Sequence, residues 1–259
     1  MKDIADANHY AFSPNPWFIA AFFSGQAVLQ LYWIRKLFTL DPEGYQALAS
    51  SPAAAQTTSP DKDLSSQEAV QTAIEYAPIY ALGNLCIGTI FSSVTLITNS
   101  ANYEIESHGH IAAGWLFFWL KESFTASQLL VTINTAAQLY AVSQLPPLKS
   151  TSHPLLHTTH LVAKTFAGIG ILDFVDNGAV ALRYSAPPST LVQILTYAAF
   201  PLATALSKPL FGSILVYDLV AIFVGQRYGG GGGGMRTWGI NVGWTALASG
   251  IIVAFKSIL

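Results

Sequence analysis

Long apolar runs alternate with polar segments along this chain, and the pattern predicts an all-α polytopic membrane bundle of about seven transmembrane helices. The organising stretch is Leu161 to Leu182, LVAKTFAGIGILDFVDNGAVAL. As a helix it would extend about 33 Å, against a hydrocarbon core of about 30 Å. It nevertheless carries Lys164, Asp173 and Asp176. The other expected spans are Trp17 to Ile34, Thr72 to about Ile97, about Thr125 to Val142, about Thr190 to Leu206, Leu210 to Gly225 and Trp238 to Phe255. Their ends carry recognisable signals. Asn15-Pro16 starts the first span and Arg35-Lys36 closes it, with Trp17, Tyr32 and Trp33 at interfacial positions. Leu145-Pro146-Pro147-Leu148, Pro187-Pro188 and Lys208-Pro209 punctuate the later ones. Ser66 to Ala69 reads as the lead-in to the second span, with Pro78 tolerated near that span's start.

The segments between the spans read differently. From about residue 36 to 71 the chain is rich in Ser, Pro, Ala, Gln and acidic residues, the composition of a mobile loop. Asn99 to His110 is polar, and Ile111 to Leu120 is apolar but too short to cross a bilayer, which suggests a re-entrant or interfacial piece. The run Gly229 to Gly234 reads as a linker. It lacks the Lys-Ser/Thr and the βαβ context of a phosphate loop.

Composition agrees with the membrane reading and removes other classes. Of 259 residues 52% are hydrophobic and 10% charged, with mean hydropathy +0.43, whereas a soluble domain carries about 25% charged residues. A net charge of -2 offers no basic footprint for nucleic acid. The single cysteine, Cys86, rules out an internal disulfide and reads as a small packing residue. The opening residues MKDIADANHYAFSPNPW lack the apolar core of a cleavable signal peptide, so the first span is expected to act as the targeting signal. If the spans alternate, Lys2, Lys121, Arg183, Arg227 and Arg236 fall on one side. Arg35, Lys36, Lys62, Lys149, Lys208 and Lys256 fall on the other, a balance too even to set orientation.

Acids inside spans are the chemical signal. Asp173 and Asp176, spaced i,i+3, share a helix face with Asn177 adjoining. Two nearby carboxylates resist double ionisation and can share a proton. The plainer alternative is that one of them pairs with Lys164 or with a neighbouring helix. Lys164 itself is expected to snorkel. Asp218, beside Tyr217, stands mid-span without a compensating charge nearby in sequence. Glu75, Tyr76 and Tyr80 line one helical surface, though an acid in a first turn is also favoured by the helix dipole alone. His157 and His160, at i,i+3, are a weak metal pattern without a third ligand, so no metal and no cofactor is expected. The aromatic cluster Trp115, Phe117, Phe118 and Trp119 fits lipid-facing packing, or cation stabilisation if it meets the acids.

Five stretches carry a family resemblance: YAPIYALGNLCIG (Tyr76 to Gly88), VTINTAAQLYAV (Val131 to Val142), LPPL (Leu145 to Leu148), KTFAGIGILDFVDNGAVAL (Lys164 to Leu182) and LVYDLVAIFVGQ (Leu215 to Gln226). They resemble a group of fungal multi-pass membrane proteins, and beyond it the membrane terpene cyclases of meroterpenoid pathways of the ascochlorin and ascofuranone type. That resemblance implies a prenylated aromatic substrate bearing an epoxide, ring opening initiated by intramembrane acids, no cofactor, and an endoplasmic reticulum membrane location. It carries catalytic roles onto Glu75, Asp173, Asp176 and Asp218 alone; Tyr76, Tyr80, Asn177 and Tyr217, which accompany these acids on their helices, are the expected substrate-binding partners. This chain departs from the group in about Thr89 to Gly114, interposed between the LCIG and Trp115-to-Trp119 motifs, which reads as an insertion.

The expected function is therefore an integral membrane terpene cyclase in contact with the bilayer and a hydrophobic prenylated substrate. A proton-coupled transporter is the first alternative, and a non-catalytic scaffold with acids paired across helices is the second. No inverted repeat supports the transporter.

Overall fold

The structure, a computed structural model, describes residues 9–39, 60–87, 114–149, 152–228 and 233–258. Among these there are eight helices and no strand: α1 Pro16–Phe38, α2 Pro60–Ile87, α3 Gly114–Leu120, α4 Phe124–Gln144, α5 Pro154–Ala181, α6 Thr190–Leu206, α7 Pro209–Tyr228 and α8 Gly233–Ile258. Local chemistry sets several of the ends. The Asn15 side chain accepts from the Trp17 N–H ahead of α1, with Pro16 at a position that needs no donor. His153 caps α5 through its ring nitrogen and Ser189 caps α6 through its hydroxyl.

Four helices, α1, α5, α7 and α8, are long and apolar enough to cross a membrane. Among the described residues the fold is thus all-helical with four candidate membrane spans, and the seven-span expectation is met only in this coarser form. At 17 residues α6 is short for a crossing. α2 opens on PDKDLSSQEA, and α4 carries Ser, Thr, Asn and Gln along its length.

The organising stretch is the centre of the bundle. Over its apolar window α5 is 78% buried, against 11% for α1. It packs on α1, α2, α4 and α7. With lipid outside, close van der Waals fit draws membrane helices together, so small residues mark the contacts. A β-carbon on Gly168 would lie 2.2 Å from Ile214 of α7, and one on Gly83 of α2 would lie 2.3 Å from Phe166. α8 runs back along α7, with Gly239 against Gln226 and Arg227, Gly243 against Phe223 and Val253 against Gly212.

Two apolar clusters result. One joins the segment ahead of α1 to α5, α7 and α8, around Phe166, Leu172, Leu219 and Trp238. The other joins α1, α2, α4 and α5, around Trp33, Tyr76 and Leu156. Polar pairs fix direction. Thr165 donates to Gln26 at 2.8 Å and Trp33 to Thr159 at 2.9 Å, which runs α1 antiparallel to α5. Ser127 to Asn177 at 3.1 Å and Thr135 to the Gly170 carbonyl at 2.8 Å do the same for α4. The bundle then has one end bearing Lys121, Arg183, Arg227 and Arg236 and another bearing Arg35, Lys36, Lys149, Lys208 and Lys256, as alternation predicts.

Several boundaries differ from the sequence reading. α1 continues to Phe38, and α2 starts at Pro60, inside the stretch expected to be loop. Pro78 therefore sits deep within α2 rather than near its start. The expected second span from residue 88 onward and the insertion up to residue 113 lie outside the described residues. The short apolar piece is helical from Gly114 to Leu120, and Gly233 and Gly234 open α8 instead of belonging to a linker.

Candidate functional site

Asp218 occupies the middle of α7 at 0% exposure, among Leu215, Leu219 and Ile222. Neither of its carboxyl oxygens has a hydrogen-bond partner. An unsatisfied polar group in such packing costs about 1–3 kcal/mol, so its presence calls for a reason beyond packing. Tyr217, its neighbour, turns outward from this core and donates to the Phe18 carbonyl at 2.7 Å. Its ring meets Phe18 and Phe22 at centroid distances of 5.5 and 5.8 Å.

The α5 aspartates complete the site. Asp173 lies within electrostatic range of Asp218, and Asp176 within range of Asp173. Both α5 acids are partly exposed. Asp176 Oδ1 accepts from Ser13 Oγ at 2.9 Å, and that hydroxyl in turn accepts from the Tyr10 N–H at 3.0 Å. Two helices and the segment before α1 thus converge, giving a series that leads from mid-bundle Asp218 through Asp173 and Asp176 to Ser13.

Ser13 was not legible as a site residue. The tail before α1 reads as polar, yet Ala11, Phe12 and Ser13 are buried. The Trp238 indole donates to the Ala11 carbonyl. Gln226 Nε2 donates to the carbonyls of Tyr10 at 2.7 Å and Ser13 at 3.0 Å. The Ala11 N–H donates to the Tyr184 carbonyl and the Asn15 N–H to the Ala221 carbonyl, each at 2.9 Å. The one cue in the sequence was a pair of aromatics, Tyr10 and Phe12, inside that polar stretch.

The other expected site residues lie elsewhere. Asn177 shares the helix with the aspartates, but its amide is committed to α4: Oδ1 accepts from Ser127 at 3.1 Å and Nδ2 donates to Gln128 at 2.8 Å. Glu75 is exposed on α2 and accepts from Gln71 at 2.6 Å. With Thr72, Tyr76, Tyr140, Gln144 and Pro146 it lines a separate pocket of about 210 Å³. That pocket sits near the α4 C-terminus, at the opposite end of the bundle from the α5 aspartates. Tyr76 donates to Gln138 at 3.0 Å and Tyr80 to Gln30 at 2.9 Å, both within an aromatic cluster with Trp33. These phenols tie α1, α2 and α4 together and do not face the aspartates.

Lys164 pairs with neither aspartate and does not snorkel. It is 6% exposed, and a rise of about 14 Å along α5 separates it from Asp173. Among the described residues no group of three or more His, Cys, Asp or Glu side chains is placed to hold a metal ion. Trp119 packs on Phe124, and Phe117 on Phe118, so these aromatics meet each other rather than the acids. No family model, curated protein or solved structure matches this chain.

Proposed function

We propose that this chain is an integral membrane terpene cyclase in which Asp218 protonates the epoxide of a prenylated aromatic substrate. The supporting observation is the enclosed carboxyl of Asp218, free of hydrogen-bond partners and within electrostatic range of a second acid. Ionising an isolated carboxyl in apolar packing costs several kcal/mol with nothing nearby to offset it, so it is carried as the neutral acid. That is the form in which a carboxyl serves as a general acid.

The proposed step balances without a cofactor. Asp218 gives its proton to the epoxide oxygen as the C–O bond to the tertiary carbon breaks. An alkene of the prenyl chain then attacks the carbon that becomes cationic. Loss of a proton from the cyclised cation, returned through Asp173 or Asp176, restores Asp218 and leaves an isomer of the substrate.

The test is incubation of microsomes containing the chain with an epoxyfarnesyl phenol, followed by mass spectrometry for a cyclised product of unchanged mass. Asp218→Asn is expected to lower turnover by about a hundredfold or more, and Asp173→Asn to lower it less. Full activity in Asp218→Asn, Asp173→Asn and Asp176→Asn alike removes the proposal. The acid series from Asp218 to Ser13 also favours a second reading, a proton-coupled carrier. Proteoliposomes that collapse a pH gradient only with substrate present, and yield no isomer, would select it.

A further inference from the structure

At the end of α5 opposite the aspartates, basic groups are buried together with no counter-charge among the described residues. His160 and Lys164 stand one turn apart on the same face and are 2% and 6% exposed. The next residue on that face, Gly168, touches Ile214 of α7. The face therefore looks toward α7, whose first residue, Pro209, follows Lys208 directly. The Lys208 charge acts on both His160 and Lys164, and that of the exposed His157 acts on His160.

No hydrogen bond balances this charge. Both ring nitrogens of His160 lack a partner, although the Pro146 carbonyl stands near the ring. Among the described residues, the side-chain charges acting on either buried group are basic. The described carboxylates on that side are both exposed on α2: Glu75 accepts from Gln71 of its own helix, and Glu68 lies about two turns nearer the helix start. Lys256, the neighbouring cation, is already spent on the carbonyls of Ala205 and Ser207 at the end of α6. Unpartnered amines and imidazoles in such packing are carried neutral, and they hold their protons when an anion joins them.

The geometry points to a binding site, formed by His160, Lys164 and Lys208, for the oxyanion of a phosphate group. Three features select phosphate. Its oxygens can accept from two ammonium groups and a ring N–H at once. The first N–H groups of α7 lie beside Lys208 and add partial positive charge. The site is level with the α6–α7 turn, where a helical bundle meets lipid headgroups. The same chemistry is offered by a lipid headgroup and by a free phosphate or diphosphate.

Native mass spectrometry of the full chain in neutral detergent tests this with two probes, dioleoyl phosphatidic acid and inorganic pyrophosphate. A one-to-one adduct is expected with phosphatidic acid and none with dioleoylglycerol. Lys208→Ala, at an exposed position that leaves the core intact, is expected to weaken the adduct about tenfold, the equivalent of one charge-assisted hydrogen bond. Lys164→Met is expected to weaken it at least as much, and Lys149→Ala to leave it unchanged. Competition by pyrophosphate assigns the site to the phosphate group alone, and lack of competition assigns it to the lipid headgroup. Adducts of equal strength in wild type, Lys208→Ala and Lys164→Met overturn the site, as does the absence of an adduct with either probe at millimolar concentration.

Discussion

Ser13 Oγ donates to Asp176 Oδ1 at 2.9 Å, which ties the segment before α1 to the acid-bearing turn of α5 across 163 positions of chain. Removing the hydroxyl leaves a partly buried carboxyl without its donor. Ser13→Ala is expected to cost about 0.5–1 kcal/mol, the range for such a bond in a membrane protein. A lowered melting temperature in detergent, with Ser13→Thr close to wild type, is the expected result. An unchanged melt for Ser13→Ala would mean the contact contributes nothing to holding the segment.

Gly225 admits that same segment. A β-carbon there would lie 2.4 Å from the Ser13 carbonyl oxygen, 2.6 Å from the Pro14 carbonyl carbon and 2.8 Å from the Asn15 nitrogen. All three are backbone atoms and cannot rotate away. Gly225→Ala is expected to cost about 1–3 kcal/mol and to displace the segment, read as faster proteolysis between Tyr10 and Asn15. Gly250→Ala is the control, because its β-carbon would have ordinary contact at 3.9 Å with Val216.

Stability and activity are expected to part company at Asp218. Its carboxyl is enclosed and unpartnered, so Asp218→Leu removes a polar group that contributes no hydrogen bond to the fold. A rise in melting temperature is expected, corresponding to about 1–3 kcal/mol, together with loss of turnover. Asp218→Asn keeps a buried polar group and is expected to melt near wild type. A clear fall in melting temperature for the leucine form would show that the acid holds the bundle together instead.

On the other side of α5 the sensitive position is Gly83. A β-carbon there would meet Phe166 Cε1 at 2.3 Å and Gln138 Nε2 at 2.5 Å. That amide bridges two helices: Gln138 Nε2 donates to the Ile79 carbonyl at 3.0 Å while its Oε1 accepts from Tyr76. Gly83→Ala is expected to lower stability by about 1–3 kcal/mol through lost packing and the disturbed bridge, measured by thermal melting.

His153 sets an expected pH dependence. Its ring nitrogen accepts from the Leu155 N–H at 3.2 Å at the start of α5. Burial, and then the nearby Lys36 charge, hold its pKa below the usual 6.5. A base with a lowered folded-state pKa favours folding in its neutral form. Its contribution is complete above pH 6.5, declines as pH falls through that value, and levels off below the folded-state pKa. Melting curves from pH 8 to 5 are expected to show wild type losing more stability on acidification than His153→Asn, which keeps a cap that does not titrate. Parallel curves would remove His153 as the cause.

Much of the fold was legible because helix formation across a membrane is a local property. Apolar length, proline punctuation and the absence of any partner for the backbone in lipid select helices residue by residue. Each expected span accordingly falls on a helix, at least over its described residues, and Leu161 to Leu182 lies almost entirely within the central one. Where local signals were mixed the reading slipped. The polar opening of α2 looked like loop because its helical state is not announced by apolar periodicity, and Lys164 looked free to snorkel because neighbours that bury it are absent from its own stretch.

Which side chains meet was decided by the tertiary structure alone. The sequence by itself determined that Asp173, Asp176 and Asp218 lie in helical runs long and apolar enough to cross a membrane. Only packing brought Asp218 within electrostatic range of Asp173, sent Glu75 to another pocket, turned Asn177 toward α4 and drew Ser13 from the tail into contact with Asp176. The physical reason is one of range. Hydropathy acts through the few residues of a helical turn, whereas the rotation and register of one helix against another depend on shape matches such as Gly168 with Ile214, made between residues far apart in the chain.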